Sequence, residues 1–368
     1  MDELPWSTRP TPDRSGDRPV GEHLVRPEPL TRMAVAVLTA AGAPERNAGA
    51  VAASLVAADL AGHDSHGVRR LVPYVGAIRA GTLDPAAQPR VARSEGAGAT
   101  VDGRGGFGQL AAALATREVR ELARAHGVGV VAISRGNHIG RLSEYVEALA
   151  EAGLVGIAFC NADPTVAPHG GRDRLLGTNP LAWAVPRGPG ESAVVIDFAT
   201  AAVAEGKLAL SAARGEHVPP GLLVDGDGRD STDPADFYEG GALLPFGGAA
   251  GGHKGYGLSV MIEIVGGLLS GAGISSLPGY DGTNGSVLLA VDIAAFLPAD
   301  RFREQTERFC RRLSASTPAH EDRSVLVPGE LEARTRAHRL QHGIPLSTAT
   351  WNELAALPGF ALPEGDST

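Results

Sequence analysis

Apolar positions along the chain follow two periods. Between residues 28 and 82 they recur every three to four residues. PLTRMAVAVLTAAG (29–42) carries this spacing and stops at a glycine. APERNAGAVAASLVAADLAGHDSHGV (43–68) repeats it, with Pro44 where a helix would start, and VRRLVPYVGAIRAG (68–81) continues it. After about residue 90 the period shortens. GATVDG, GVGVVAIS, GLVGIAFCN, LAWAVP, SAVVIDFA and GSVLLAVDIAAF are short apolar or alternating runs bounded by Gly, Pro or Asn, which predicts strands. Helices are expected over 109–126 and 141–152, between the first three strands. From residue 299 the chain again reads as helix, in ADRFREQTERFCRRLSAS, followed by a loop with VLVPGE and two more helical stretches to 358. The pattern divides the chain into a tail (1–25), a helical region (26–90), a sheet domain (91–300) and a helical C-terminal region (301–368) that packs back on the core.

Composition narrows the possibilities. The net charge is −9 and no basic stripe stands out, which argues against a nucleic-acid binder. The two cysteines, Cys160 and Cys310, lack CxxC spacing and fit a reducing, cytoplasmic setting rather than a disulfide framework. Residues 1–25 are rich in Pro, Arg, Asp and Gly and lack the apolar stretch of a secretory leader, so a disordered tail is expected. GYGLSVMIEIVGGLLSGAGI (255–274) is long and apolar, but Glu263 near its middle and interrupting glycines predict a buried helix with a Gly-rich stop, not a membrane span.

Polar residues gather at a few places. GRGGFG (103–108) reads G-x-G-x-x-G between a strand and a helix, the setting of a dinucleotide-binding turn. The next strand, GVGVVAIS, ends in Ser134, Arg135 and Gly136, where the ribose-binding acid of that motif would stand. Arg135 could face a 2′-phosphate instead. The later strands follow one another with little helix between them, which predicts antiparallel pairing rather than a doubly wound sheet. The segment 57–74 brings together His63, Asp64, Ser65, His66, Arg69 and Arg70 beside an apolar helix, either as solvated surface or as a site. ISRGNHIGRLSEY (133–145) puts His138 in a strand-to-helix turn. LPFGGAAGGHKGYGL (244–258) joins a Gly-rich loop to Lys254; Gly255 follows in place of the Ser or Thr of a nucleotide-hydrolysing P-loop. The 11 histidines show no paired spacing of a zinc site.

Taken in order, GHDSHGVRRL, SRGNHIG, PHGG…LGTNPLA, DFAT…GK, GGHKGYGL and VPGE resemble the type-2 malate/L-lactate dehydrogenase family over residues 28–358. That family also holds ureidoglycolate, sulfolactate and diketogulonate dehydrogenases and cyclic-ketimine reductases. The resemblance implies an α/β (α+β) fold, with a mostly antiparallel central sheet in a non-Rossmann nicotinamide-binding domain flanked by helical segments. It makes GRGGFG a structural turn rather than a cofactor site. It further implies an NAD- or NADP-dependent oxidoreductase acting on a 2-hydroxy/2-oxo acid, a homodimer, and no metal, nucleic-acid or membrane partner. The alternative within the family is an NAD(P)H-dependent reductase of a cyclic imine carboxylate.

Such chemistry needs a cation for the carboxylate, an acid/base for the hydroxyl proton, and a positioned nicotinamide. By resemblance, His138 is the proton donor and acceptor, with His66 a second histidine on the substrate side. Arg70 is the carboxylate clamp, with Arg69 its competitor. Asp163 either holds one of the histidines or is an ordinary turn residue. Asp197, Phe198 and Ala199, Lys254 and Gly255, and Gly329 and Glu330 resemble the cofactor contacts. Two positions depart from the pattern: Ala201 stands where the family commonly has Ser or Thr, and His169 where an aromatic is expected. A binding protein that lost its chemistry is disfavoured because His66, Arg70, His138, Asp197 and Lys254 all occur together.

Overall fold

The computed structural model describes residues 22–320 and 324–361 and realises both periods. The chain begins with β1 (Glu22–Val25), α1 (Pro27–Ala40), α2 (Glu45–Leu60) and α3 (Leu71–Ala80). There follow β2 (Arg90–Glu95), β3 (Gly98–Asp102), α4 (Gly108–His126), β4 (Val128–Ser134), α5 (Ser143–Glu151) and β5 (Leu154–Cys160). Next come β6 (Leu181–Val185), β7 (Val194–Phe198), α6 (Glu205–Arg214), β8 (Leu223–Val224), β9 (Asp230–Ser231), α7 (Pro234–Tyr238) and β10 (Ala242–Leu243). The chain continues through α8 (Gly248–Ser270), β11 (Ser286–Asp292), α9 (Ala299–Ser314), α10 (Glu330–His342), β12 (Ile344–Ser347) and α11 (Thr348–Ala355). The described residues form two units: one from 22–80 and 332–361, the other from 81–320 and 324–331.

In the first unit, α1 buries Leu30, Met33, Ala34, Val37 and Leu38, the i, i+3, i+4, i+7, i+8 stripe of an amphipathic helix. β1 pairs antiparallel with β12, from Glu22↔Ser347 to Val25↔Ile344. Glu22–Val25, expected within a disordered tail, is therefore a strand; residues 1–21 of that tail lie outside the described residues. The expected C-terminal helical region also divides. α9 belongs with the sheet unit, and only the chain from 332 onward joins the N-terminal helices.

The second unit is built on a seven-stranded sheet in the order β2-β3-β4-β11-β5-β6-β7. The expectation of a mostly antiparallel sheet is corrected to a mixed one. β3 and β4 run parallel, in register from Gly98↔Val130 to Asp102↔Ser134, while the remaining neighbours run antiparallel. The physical cause is α4: its 19 residues carry the chain back along the sheet, which a parallel pair requires. Val101, Ala111, Ala115, Val119, Val131, Tyr145, Val146, Leu149, Leu154 and Leu288 join α4, α5 and the central strands in one buried cluster. The edge strand β2 carried no legible pattern, because RVARSE is exposed at every residue and buries neither face. β8, β9 and β10 form a separate three-stranded sheet of two-residue strands.

Among the described residues no helix is long and apolar enough to cross a membrane. α8 fits the expectation of a helix with a Gly stop: Gly271 takes the left-handed cap at φ +80°. It is not wholly buried, however. Met261, Ile264, Leu268 and Leu269 are 57, 43, 59 and 57% exposed, and the first three make one stripe along the helix.

Asp102, buried at the end of β3, accepts hydrogen bonds from Arg135 Nε at 2.9 Å and from the Arg104 N–H at 2.9 Å. Burial by itself raises its pKa, but these bonds and the charges of Arg135 and Arg90 outweigh it and hold the carboxyl below its ordinary value. A carboxyl depressed in the folded state contributes stability above its unfolded pKa, and that contribution is lost as pH falls through the lower folded value. Chemical denaturation at stepped acid pH is expected to show the Asp102→Asn variant less stable than wild type at neutral pH, with a shallower loss as pH falls below about 4.

Candidate active site

In the helical unit, α2 ends at Leu60 and the chain turns through His63–Arg70 before α3. Asp64–His66 and Val68–Arg70 form two single 3₁₀ turns. This backbone separates the two arginines by environment. Arg69 is exposed, whereas Arg70 is half-buried with its guanidinium 5.7 Å from the centre of the Tyr74 ring. Its Nε is shielded from solvent and has no hydrogen-bond partner among the described residues. A buried N–H left unpaired is a donor awaiting an acceptor. His66 is half-buried, and its Nδ1 lies 3.0 Å from Ser65 Oγ.

In the sheet unit, GRGGFG occupies the turn from β3 into α4, inside a parallel strand–helix–strand unit. A dinucleotide-binding turn has this setting; here the amides of Gly103 to Gly106 have partners within the protein. The N–H of Gly103 donates to Ser134 O (2.8 Å), Arg104 to Asp102 Oδ1 (2.9 Å), Gly105 to Arg135 O (2.9 Å) and Gly106 to Gly103 O (3.0 Å). Asn137 Nδ2 returns bonds of 2.9 and 3.0 Å to the carbonyls of Gly105 and Gly106. At Gly108 a Cβ would stand 2.0 Å from Asn137 O and 2.5 Å from His138 O, so only glycine lets the two backbones touch. The backbone that approaches so closely is the loop that carries His138. Arg135, the candidate for a 2′-phosphate, is paired with Asp102.

His138 is half-buried and its Nδ1 accepts the Gly140 N–H at 3.3 Å. In a neutral ring this places the proton on Nε2. Just beyond, Asp197 Oδ2 accepts from Ser143 N (2.8 Å) and Ser143 Oγ (2.7 Å), so the end of β7 caps the positive N-terminus of α5. The Arg141 guanidinium is buried and forked on Glu147 at 3.2 and 3.0 Å.

Most of the expected cofactor residues converge on β7. Phe198 meets Phe246 edge-on at 5.6 Å, and the Phe246 N–H donates to Thr200 O at 2.9 Å. Gly255 packs on the backbone of Phe246, so α8 brings exposed Lys254 to the same end of the sheet. Ala199 lies on this stretch, and Ala201 bridges to Pro245. Gly329, at φ +92°, lies against Val195 of β7. Glu330 accepts from Val327 N–H at 3.1 Å and lies 3.7 Å from Arg187. Asp163 stands apart from this group. It is exposed and accepts from Tyr280 Oη at 3.2 Å, so its partner is this hydroxyl rather than a histidine. Burial and the Asp163 charge together push the Tyr280 pKa up. His169 is exposed and meets His253 at 6.0 Å between ring centres.

Sequence reasoning missed the buried core of this region. Glu263, 2% exposed, accepts on Oε1 from Asn161 Nδ2 (3.0 Å) and Ser275 N–H (2.7 Å). Its Oε2 accepts from Asn179 Nδ2 at 2.8 Å and from the Gly177 N–H at 3.5 Å. Asn179, at φ +37°, also holds the Ala162 N–H at 3.1 Å. LGTNPLA is thus tied to α8 through the Glu263 carboxylate and through Asn179 Nδ2, which also donates to Ser259 O and Oγ at 3.1 Å. The only signal in the sequence was an acid in an apolar helix, which names no partner.

The family profile for malate/L-lactate dehydrogenase matches residues 25–355. The chain is 37% identical to a malate dehydrogenase of Pyrococcus horikoshii, covering 87% of this chain and 90% of that protein. It is 37% identical to hydroxycarboxylate dehydrogenase B of Escherichia coli K12, covering 89% and 92%. The solved structure of a delta1-piperideine-2-carboxylate reductase from Pseudomonas syringae superposes with a TM-score of 0.79 at 32% identity, covering 90% of this chain and 98% of that one. The chain belongs to the malate/L-lactate dehydrogenase family.

Gly108→Ala places a methyl group against the backbone of the His138 loop. Overpacking of this kind costs about 1–3 kcal/mol. Denaturant titration is expected to show a loss in that range, whereas Gly105→Ala, which meets nothing within 4 Å but is strained by φ +71°, reports the cost of torsion alone.

Proposed function

We propose that this chain is an NAD(P)-dependent 2-hydroxy acid dehydrogenase. The observation that carries the reading is Arg70: a half-buried guanidinium, held beside Tyr74, whose shielded Nε has no acceptor among the described residues. A substrate carboxylate supplies that acceptor and meets the planar fork that lysine lacks. His138 supports the second requirement. As the imidazolium it gives its Nε2 proton to the carbonyl oxygen of a 2-oxo acid and is left as the neutral ring with its proton on Nδ1; in the reverse direction that neutral ring takes the hydroxyl proton at Nε2, so the Gly140 contact at Nδ1 belongs to the resting ring and opens on protonation. His66 is the second histidine on the substrate side.

For the dinucleotide, the residues along β7 and α8 fit better than GRGGFG, whose first four amides are bonded within the protein. Lys254 is an exposed cation for which no acidic partner is found among the described residues, and Gly255 and Phe198 pack around Phe246 beside it. The nicotinamide supplies or accepts the hydride. Asp197, Ala199, Gly329 and Glu330 complete the proposed cofactor-binding group, with Asp197 fixing α5 and Gly329 set against β7. Asp163 acts at most through Tyr280. Cys160 and Cys310 are free and buried, which fits a reducing, cytoplasmic setting. The exposed stripe of α8 is the surface for a second copy of this chain, giving a homodimer.

Reduced-nicotinamide absorbance followed with NADH and NADPH against pyruvate, oxaloacetate, 2-oxoglutarate, an aryl 2-oxo acid and a cyclic ketimine acid tests the reading. Turnover of a 2-oxo acid is expected, with kcat about 10²–10⁴-fold lower in His138→Ala and a higher KM for the acid in Arg70→Lys. Turnover of the ketimine alone would move the assignment to cyclic imine reduction, and absence of cofactor binding would overturn it. Light scattering is expected to give twice the 37.7 kDa chain mass, and Leu268→Glu with Ile264→Glu should give the monomer.

A further inference from the structure

We propose that Asp59 is a positioning residue: its buried carboxyl group fixes the Gly67–Arg70 turn and thereby the direction in which Arg70 projects. The proposal rests on the reading of Arg70 as the carboxylate clamp.

Asp59 sits in the last turn of α2, 1% exposed, on a face otherwise lined by Val51, Ala52, Leu55 and Val56. Its Oδ2 accepts the Val68 N–H at 2.9 Å. That N–H opens the 3₁₀ turn leading directly into α3, where helix geometry provides no partner for it. The carboxylate therefore caps the turn from beneath, two residues before Arg70. Its Oδ1 faces Gly67, where a Cβ would stand 1.6 Å away. Gly67 has φ −83°, which any residue adopts, so the glycine is demanded by this contact and not by torsion.

A third element secures the same loop. Arg339 of α10 donates to the Asp59 carbonyl oxygen and pairs with Asp64 at 2.5 Å, while Thr335 of α10 lies against Gly62. The nearest cation thus grips the backbone of Asp59 and the side chain of Asp64, leaving the Asp59 carboxyl to the turn. Burial, and after it the charge of Asp64, drive the Asp59 pKa well above its ordinary value, against the Val68 bond and Arg339. A desolvated carboxyl is a costly way to stabilise a helix end, since an apolar residue would pack there without that penalty. What it supplies and an apolar residue cannot is a directed acceptor for one amide.

Asp59→Asn keeps the shape and an acceptor, and Asp59→Ala removes both. In the full-length enzyme with NAD(P)H and its best 2-oxo acid, the Asn variant is expected to keep every constant within threefold. The Ala variant should raise KM for the 2-oxo acid tenfold or more, with KM for the nicotinamide within twofold. Trypsin should cut faster after Arg69 and Arg70 in Ala but not in Asn, at a temperature where both stay folded. An Ala variant with an unchanged acid KM, loss of both KM values in step with a lowered Tm, or an Asn variant as damaged as Ala would each overturn the proposal. If the Ala variant does not fold, the Val68 amide decides it: exchange must be slow in wild type and in the Asn variant, and exposure-rate exchange in either overturns it. A wild-type chain inactive on every 2-oxo acid would sink the dehydrogenase reading, while the cleavage and exchange comparisons would still decide whether Asp59 holds the turn.

Discussion

The contact on which the sheet unit depends is the meeting of two backbones, the glycine turn after β3 and the loop after β4. Neither segment has side-chain bulk to spare at the crossing. The turn's N–H groups donate to the carbonyls of Ser134 and Arg135, and Asn137 closes the pair from the other side. His138 follows one residue later, so its backbone position is set by this seam rather than by the flexibility of a surface loop. The same seam accounts for the motif. Glycines spaced as in a dinucleotide turn bring protein against protein here, most closely at Gly108.

Buried or half-buried carboxylates organise both units, each through donors on another element. Glu263 gathers Asn161, Gly177, Asn179 and Ser275 around α8. Asp197 reaches from β7 to the first turn of α5. Asp59 reaches from α2 to the turn before α3. Each group carries a desolvation cost that only several well-directed N–H donors, or one indispensable one, offset. Such groups specify geometry more than they add stability, which suits loops that must present a histidine or an arginine in one direction.

α8 shows how one helix answers separate demands. Its Gly255 admits the backbone of Phe246, its Glu263 turns inward, and its Met261–Ile264–Leu268 stripe remains in solvent. Its strongly apolar sequence therefore does not mean uniform burial. The polar network inside and the apolar surface outside reverse the usual order, and the hydrophobic effect acting on that stripe is what a second chain would relieve.

The sequence by itself determined the strands β3, β4, β5, β6, β7 and β11 and the helices α4 and α5 between them, because short apolar runs bounded by Gly, Pro or Asn and helical burial stripes are legible locally. It also determined the family, because motifs survive as local strings. It left β2 unread, since an edge strand exposed at every residue has no burial pattern, and it read the 22–25 strand as tail, since four residues pairing with β12 are too short to show a period. The tertiary structure decided the rest. A parallel β3–β4 pair, the contact of Gly108 with the His138 loop, Arg70 rather than Arg69 beside Tyr74, Tyr280 as the partner of Asp163, and the buried positions of Asp59 and Glu263 all depend on what each segment meets across the fold. Local spacing fixes which face a residue occupies, and only packing fixes what stands opposite it.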